Sequence, residues 1–204
     1  MESIILASNS PRRREILSHF IDFKVVSKDI NEIKDDSYSP WTTVMALAFE
    51  KGIAVARDNE DAIVLATDTL VELEGRLLGK PKDRDDARDM IKSLSGRTHR
   101  VFTGYAIFKL SQKIKYVNYE ESSVKFYDLS DDEIEKYLDT LEYKDKAGAY
   151  GIQGKGSLLV EKIEGDYFNI VGFPIGKINR DLVRLFNLSL WWFYERKRNW
   201  KIHY

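Results

Sequence analysis

The sequence predicts an α/β fold, in which short apolar strands alternate with amphipathic helices. The chain opens with an apolar run over 4–6, too brief for a helix, and a serine–proline pair typical of a helix start follows it. Further along, the segments 99–110 and 114–127 alternate apolar and polar residues, which is typical of two antiparallel strands. A chain of 204 residues fits one domain, or two lobes that share one sheet.

The first half of the chain contains the clearest signals for helix starts and for a hairpin turn. Ser10 and Ser39 each precede a proline, so each can cap a helix whose first residue is that proline. Glu74 and Gly75 form a hairpin turn after the longest apolar run. The predicted elements are helices over 11–20 and 40–57 and strands over 24–27, 62–73 and 76–79.

The second half contains two helices with acidic or hydroxyl caps. Asp83 caps a helix that Gly96 closes, and Ser130 opens a capping box with Glu133. Gly165 separates two short apolar runs that resemble paired strands. The predicted elements are helices over 83–94, 130–141 and 174–185, and strands over 99–110, 114–127, 158–163 and 167–171.

Composition excludes several classes of protein. Lys plus Arg is 32 against 33 Asp plus Glu, and this net charge of −1 gives no overall attraction to nucleic acid. The absence of cysteine excludes disulfides and thiolate nucleophiles, and no two of the three histidines have the spacing of a zinc pair. No signal-peptide pattern is present, and no apolar run approaches the roughly 20 residues of a membrane span. We therefore expect a cytoplasmic protein that binds neither nucleic acid nor membrane.

Three arginines, Arg12 to Arg14, occupy the first turn of the first predicted helix. The start of a helix carries partial positive charge, so cations there are unfavourable unless a ligand compensates them. A solvated surface triplet is the simpler interpretation, but the strand, polar turn and helix start together favour a phosphate site. The same argument predicts that removing Arg12 or Arg13 stabilises the empty protein by ~0.3–1 kcal/mol.

Two charged residues lie where apolar ones are expected. Lys51 shares the apolar face of the second helix, where it either snorkels at the edge of the core or reaches into a cleft. Asp68 lies within the strand 62–73, so it must be paired, bound to a metal or placed at an open strand end. With Lys80 and Glu32, these residues suit metal-assisted phosphoryl chemistry.

At this point the chain resembles a known family, the Maf nucleotide pyrophosphatases. The similar segments follow one another in order from about residue 4 to 185. They are LASNSPRR at 6–13, ATDT at 66–69, LGKP at 78–81, LSGRTH at 94–99, the glycine-rich DKAGAYGIQGKG at 145–156, and EGDY at 164–167.

The resemblance implies a fold, a reaction and a set of residues. The fold is a long, strongly twisted mixed sheet flanked by helices, related to inosine triphosphatase, with two lobes and a central cleft. The reaction is hydrolysis of nucleoside triphosphates to monophosphate and pyrophosphate with a divalent cation such as Mg, Mn or Co. The implied catalytic residues are Asp68 as the base, Glu32, Lys51 and Lys80, with Asp68 and Glu32 holding the metal. The implied substrate-binding residues are Ser8, Arg12, Arg13, Thr69 and Gln153.

Three positions separate the branches of the family. Arg12, Thr69 and Gln153 match the branch that resembles dTTP/UTP pyrophosphatases, and Gln153 offers the donor and acceptor that suit a uracil or thymine edge. We therefore expect dTTP and UTP, or modified pyrimidine nucleotides, as substrates. The 7-methyl-GTP branch and a nucleotide-binding regulator of cell division without hydrolysis are the alternatives. A water-activating carboxylate beside a triphosphate favours the enzyme, because a pure binder would be weakened by it.

The last residues of the chain depart from the family pattern. We assign 1–187 to the pyrophosphatase domain and 188–204 to an aromatic and basic tail, expected to be a packed helix. The tail interleaves tryptophans with lysines and arginines, which could stack on bases, pack on the body of the protein or pack on a second subunit. A homodimer is therefore one expectation.

Overall fold

A computed structural model describes residues 2–30 and 38–191 of the chain. The strands are β1 (Ile4–Leu6), β2 (Lys24–Val25), β3 (Ile63–Leu73), β4 (Arg76–Leu78), β5 (Thr98–Lys109), β6 (Ile114–Phe126) and β7 (Val160–Glu164). The helices are α1 (Pro11–Ser18), α2 (Pro40–Ala56), α3 (Arg84–Leu94), α4 (Asp131–Asp139), α5 (Tyr167–Val171) and α6 (Ile175–Phe186). Short 3-10 turns lie at Leu110–Gln112, Ala147–Ala149 and Gly154–Leu159.

The strands form one mixed sheet in the order β2-β1-β3-β5-β6-β7, with β4 paired to β3. The β1–β2 and β1–β3 pairs are parallel, and every other pair is antiparallel. Strand β1 pairs with only the first part of β3, Ile63 to Leu65. The remainder of β3 therefore extends past the end of β1, and this leaves an open edge beside the turn that leads into α1.

The two faces of the sheet bury separate apolar clusters. Val64 and Ala66 of β3 pack with Ala48 and Val55 of α2 on one face. Ile63 and Leu65 point the other way, because successive side chains of a strand alternate between faces. They join the larger cluster that contains Leu17 of α1, Ile91 of α3, Leu138 of α4 and Leu182 of α6.

Helix α2 lies directly on the sheet because glycine leaves room for it. A Cβ atom at Gly104 of β5 would lie 2.3 Å from the carbonyl group of Val44, and one at Gly52 would lie 2.4 Å from the ring of Phe108. Gly104 is also the residue that faces Asp68 across the β3–β5 ladder. The close approach therefore brings α2 against the part of β3 that carries Asp68.

Most predicted elements are confirmed, with ends that differ by a few residues. The largest correction concerns 167–171, predicted as a strand and found as α5. The carboxylate of Asp166 accepts a hydrogen bond from the backbone of Phe168 at 2.8 Å, and Gly172 ends the helix with φ of 103°. A run of five apolar and polar residues has no periodicity that separates a buried strand from a helical turn. The strand predicted over 158–163 begins only at Val160 and pairs with β6, and that over 24–27 spans Lys24–Val25.

The predicted helix caps at Asp83 and Ser130 are confirmed, whereas the one at Ser10 is not. Asp83 accepts from the backbone of Asp86 at 2.9 Å, and Ser130 and Glu133 form the capping box. Ser10 occupies the cap position of α1, but its side chain makes no capping bond. Its own backbone N–H instead donates to the hydroxyl of Ser8 at 3.2 Å, and Ser8 lies in the preceding turn.

The chain after α6 begins by returning to the core. Leu188 and Leu190 are buried in the larger cluster, whereas the side chain of Trp191 is exposed. Residues 192–204 lie outside the described part of the chain, so the packed helix and the boundary at 187 stay predictions. Within 2–30 and 38–191, no helix is long and apolar enough to cross a membrane.

Candidate active site

A cleft of about 1110 Å³ opens where β3 passes the end of β1. The turn from β1 to α1 forms one wall, the end of the β3–β4 hairpin another, and the glycine-rich loop 144–154 a third. Eight of the nine residues that the sequence predicted for the site line this cleft. They are Ser8, Arg12, Arg13, Lys51, Asp68, Thr69, Lys80 and Gln153. The ninth, Glu32, lies outside the described residues.

Asp68 and Lys51 form an ion pair at the wall of the cleft, between Oδ1 and Nζ. Asp68 shares the face of β3 on which α2 packs, and Lys51 precedes the glycine that lets α2 approach. The Asp68 side chain retains 12% of its exposure and the Lys51 side chain 24%. Lys51 therefore reaches beyond the edge of the core, as one of the two interpretations of its position required.

Arg13 is held by four hydrogen bonds to the protein. Its Nε donates to the carbonyl oxygen of Gly172 at 3.0 Å. Its Nη1 donates to the carbonyl of Thr67 at 2.8 Å and to the hydroxyl of Ser8 at 3.3 Å. Its Nη2 donates to the hydroxyl of Thr69 at 3.2 Å. A guanidinium has five N–H groups, so one N–H of Nη2 is left by these bonds for a ligand in the cleft.

These contacts reverse the stability expected for Arg13. Its guanidinium ties α1 to β3 and to the end of α5, and four acceptors offset the repulsion from the helix start. Burial lowers the pKa of Arg13, and the charge of Asp68 acts in the opposite direction. Removing Arg13 should therefore destabilise the protein, contrary to the helix-dipole argument.

Arg12 has a different environment from its neighbour. Burial lowers its pKa, while Tyr137 and Asp145 oppose that change. Its Nε is buried and finds no hydrogen-bond partner among the described residues. Arg14, the third member of the triplet, is exposed and donates to the carbonyl of Asn9 at 2.7 Å. Of the three arginines, Arg12 and Arg13 line the cleft, whereas Arg14 is not among the lining residues.

Ser8, Lys80 and Gln153 occupy three sides of the cleft. Ser8 is buried, and its hydroxyl accepts from Arg13 and from the backbone of Ser10. Lys80 is exposed just after β4. Gln153 immediately precedes the 3-10 turn Gly154–Leu159. All three side chains therefore border the same cleft.

Of the two predicted metal ligands, Asp68 lines the cleft and Glu32 lies outside the described residues. No cluster of three or more His, Cys, Asp or Glu side chains occurs among the described residues. Only Oδ1 of Asp68 is bonded to Lys51, so Oδ2 can face a cation in the cleft. Magnesium is commonly held by one or two carboxylates together with substrate phosphates, and Asp68 could supply one such carboxylate.

The sequence did not single out several residues that shape the site. Glu142 accepts backbone hydrogen bonds from Lys155 at 3.0 and 3.3 Å and from Gly156 at 3.3 Å, which fixes the loop after Gln153. Below the loop, Nε2 of His99 is 2.8 Å from the hydroxyl of Tyr150. Burial lowers the pKa of His99 to about 4. A glutamate at a helix end and a lone histidine in a strand carry no local pattern that would reveal such long-range contacts.

The comparison with known families decides the assignment. The sequence model described as Maf-like protein matches residues 3–185, which include all nine predicted site residues. The chain belongs to the Maf family. The predicted α/β architecture of a mixed sheet flanked by helices is the one observed.

Curated Maf relatives cover almost the whole chain. A dTTP/UTP pyrophosphatase of Clostridioides difficile is 49% identical over 93% of this chain and 98% of its own length. One from Pyrococcus furiosus is 51% identical over 86% of this chain and 91% of its own length. Among solved structures, the Staphylococcus aureus Ham1 protein gives a TM-score of 0.44 with 16% identity, over 62% of this chain and 73% of that one.

Proposed function

We propose that this Maf protein hydrolyses dTTP and UTP to the nucleoside monophosphate and pyrophosphate. The observation that supports this most is the convergence of eight predicted residues on one cleft, with the Asp68–Lys51 pair in its wall. The lining of the cleft combines carboxylates, Asp68 among them, with several lysines and arginines, as expected for a site that binds a polyanion and activates water. The relatives named dTTP/UTP pyrophosphatase support the same activity.

In the proposed mechanism Asp68 accepts a proton from the attacking water. Attack at the α-phosphorus moves negative charge onto the bridging oxygen and the departing pyrophosphate. Lys51, Lys80 and the remaining N–H of Arg13 stabilise that charge, which is greater in the transition state than in the bound substrate. Lys51 can move from Asp68 to a phosphate oxygen, which frees the carboxylate to act as base. A divalent cation held by Asp68 and Glu32 would neutralise phosphate charge and lower the pKa of water.

The base end of the substrate lies, in this proposal, beside Arg12, Thr69 and Gln153. The amide of Gln153 can donate to a carbonyl oxygen of uracil or thymine. The guanidinium of Arg12 lines the same cleft and can donate to a second carbonyl oxygen through its terminal nitrogens. Such paired contacts discriminate because a wrong base leaves buried polar groups unsatisfied.

The direct test is a nucleotide panel with separate detection of pyrophosphate and orthophosphate, with and without a divalent ion. We expect pyrophosphate from dTTP and UTP, and none after chelation of the ion. Binding of dTTP without turnover would support the nucleotide-binding regulator. Preference for 7-methyl-GTP would place the protein in the other branch.

Two wider features belong to the same proposal. We infer a cytoplasmic location because that is where nucleoside triphosphates are produced and consumed. A homodimer remains our expectation for the assembly, and sedimentation of the full chain with and without residues 192–204 tests whether the aromatic tail contributes.

A further inference from the structure

A row of hydrogen bonds runs from Arg13 into the protein behind the cleft. Nη2 of Arg13 donates to the hydroxyl of Thr69 at 3.2 Å. That hydroxyl is 3.0 Å from the hydroxyl of Thr103, which faces it across the β3–β5 ladder. The hydroxyl of Thr103 donates to the carbonyl oxygen of Asn169 at 2.8 Å. Three polar groups therefore connect a cleft arginine to helix α5.

The chemistry of the two ends fixes the direction of every proton in the row. A carbonyl oxygen can only accept, so the single proton of the Thr103 hydroxyl points at Asn169. Thr103 must then accept in its contact with Thr69, and Thr69 must donate. A guanidinium can only donate, so Thr69 accepts from Arg13. The Thr69 proton therefore points away from the cleft.

The far end of the row is rigid. Thr103 and Asn169 have no solvent exposure. The side-chain amide of Asn169 donates to the carbonyl of Val101 at 3.0 Å and to the hydroxyl of Ser122 at 2.8 Å. Ser122 in turn is bonded to both backbone groups of Asp166 at 3.0 Å. The carbonyl oxygen of Asn169 also accepts from the backbone N–H of Gly172 at 2.9 Å, but reversing the row would leave two buried oxygens 2.8 Å apart with no proton between them, which is unfavourable.

Thr69 is the place where this row meets a ligand. It is the one residue of β3 that is partly exposed, and it lines the cleft. A hydroxyl has one proton and two lone pairs. The proton is committed to Thr103 and one lone pair to Arg13, so Thr69 can offer the cleft only a second lone pair. It is a hydrogen-bond acceptor of fixed polarity.

We propose that Thr103 is a positioning residue for substrate selection, because it holds Thr69 as an acceptor toward the nucleobase. The ligand chemistry this selects is a base edge with an N–H donor, as in uracil and thymine, whose N3 carries a proton. Cytosine presents an unprotonated N3 at the same place and would meet a lone pair. The inference rests on the proposed function, since it concerns the base of the same nucleotide.

The test compares UTP with CTP in Thr103→Val, which keeps the shape of the side chain and removes its hydroxyl. Thr69 then loses its acceptor and can rotate its proton into the cleft. We expect the ratio of kcat/KM for CTP to that for UTP to rise by roughly tenfold, a scale set by one mismatched buried hydrogen bond. Thr103→Ser keeps the hydroxyl and should restore the parent ratio.

The matched control is Thr43→Val. Thr43 is also buried, and its hydroxyl donates to the backbone carbonyl of Ser39 at 3.1 Å, away from the row. If the substitutions only disturb the structure, kcat/KM should fall equally for UTP and CTP in both variants. An unchanged CTP to UTP ratio in an active Thr103→Val would overturn the inference. A parent protein that releases no pyrophosphate from UTP would instead overturn the proposed function.

A second measurement needs no variant. Neutron diffraction from deuterium-exchanged crystals of the parent protein locates the deuterium on each hydroxyl. We expect the Thr69 deuterium on the line to Thr103 and the Thr103 deuterium on the line to Asn169. A Thr69 deuterium directed into the cleft would overturn the inference even if Thr103→Val does not fold.

Discussion

Adjacent arginines at the start of α1 should have opposite effects on stability. The variants are Arg12→Met and Arg13→Met, which keep most of the aliphatic volume and remove the charge. Both relieve repulsion from the positive end of the helix, which is worth ~0.3–1 kcal/mol. They differ in what else is lost, because within 2–30 and 38–191 Arg13 donates to backbone carbonyls and Arg12 does not.

The contacts of Arg13 set the size of its effect. A hydrogen bond from a charged donor contributes roughly 1.5–3 kcal/mol, and Arg13 makes two of these to backbone carbonyls, besides two to hydroxyls. Removing the guanidinium also removes the cost of burying its charge, which offsets part of that loss, so we expect a net destabilisation of about 2 kcal/mol. Arg12→Met should stabilise the empty protein by ~0.3–1 kcal/mol, since its buried Nε has no partner among the described residues.

Urea denaturation of the nucleotide-free protein separates the two cases. With a slope of roughly 2 kcal/mol per molar, Arg13→Met should lower the midpoint by about 1 M, and Arg12→Met should raise it slightly. The slope itself should not change, because both variants keep the fold. Shifts of the same sign in the two variants would refute the assignment of Arg13 as a clamp and Arg12 as a ligand-facing cation.

Three further outcomes follow from the site and its surroundings. Asp68→Asn should still bind dTTP in a calorimeter but lower turnover by roughly 100-fold or more, the scale of a lost general base, and activity within a few-fold of the parent would contradict that role. Glu142→Ala should raise KM for dTTP by roughly tenfold with kcat little changed, because it frees the loop that carries Gln153. An equal rise in KM in the surface control Glu161→Ala would contradict this reasoning. Burial holds the pKa of His99 near 4 against an ordinary 6.5, so the unfolded chain takes up the proton first and stability falls as pH drops from 6.5 to 4, by roughly 3 kcal/mol in all. The thermal unfolding temperature should depend less steeply on pH in His99→Gln than in the parent protein. The same pH dependence in both proteins would exclude His99 as the cause.

The sequence predicted most of the fold because its local patterns agree with the final structure. Proline after serine, acidic caps and the Glu74–Gly75 turn each act within a few residues and were found where expected. Helix α5 was missed because its five residues are too few for a periodic pattern. These residues form a helix because Asp166 caps its start and Gly172, in the left-handed conformation, ends it.

The candidate site was predictable where residues break a local rule. Asp68 in a buried strand had to be paired, bound to a metal or at an open strand end, and it forms an ion pair with Lys51, the charged residue on the apolar face of α2. The role of Arg13 was not predictable, because its hydrogen-bond acceptors are scattered along the sequence. They belong to Ser8, Thr67, Thr69 and Gly172. The hydroxyl of Thr67 donates to the same Gly172 carbonyl at 3.1 Å.

The central claim is that water activated at Asp68 attacks the α-phosphorus of a pyrimidine nucleoside triphosphate. Hydrolysis of UTP in isotope-labelled water, followed by mass spectrometry of the products, tests it most directly. We predict the labelled oxygen in UMP, with unlabelled pyrophosphate released in one piece and turnover suppressed in Asp68→Asn. Label in orthophosphate, with UDP as the nucleotide product, would contradict the claim.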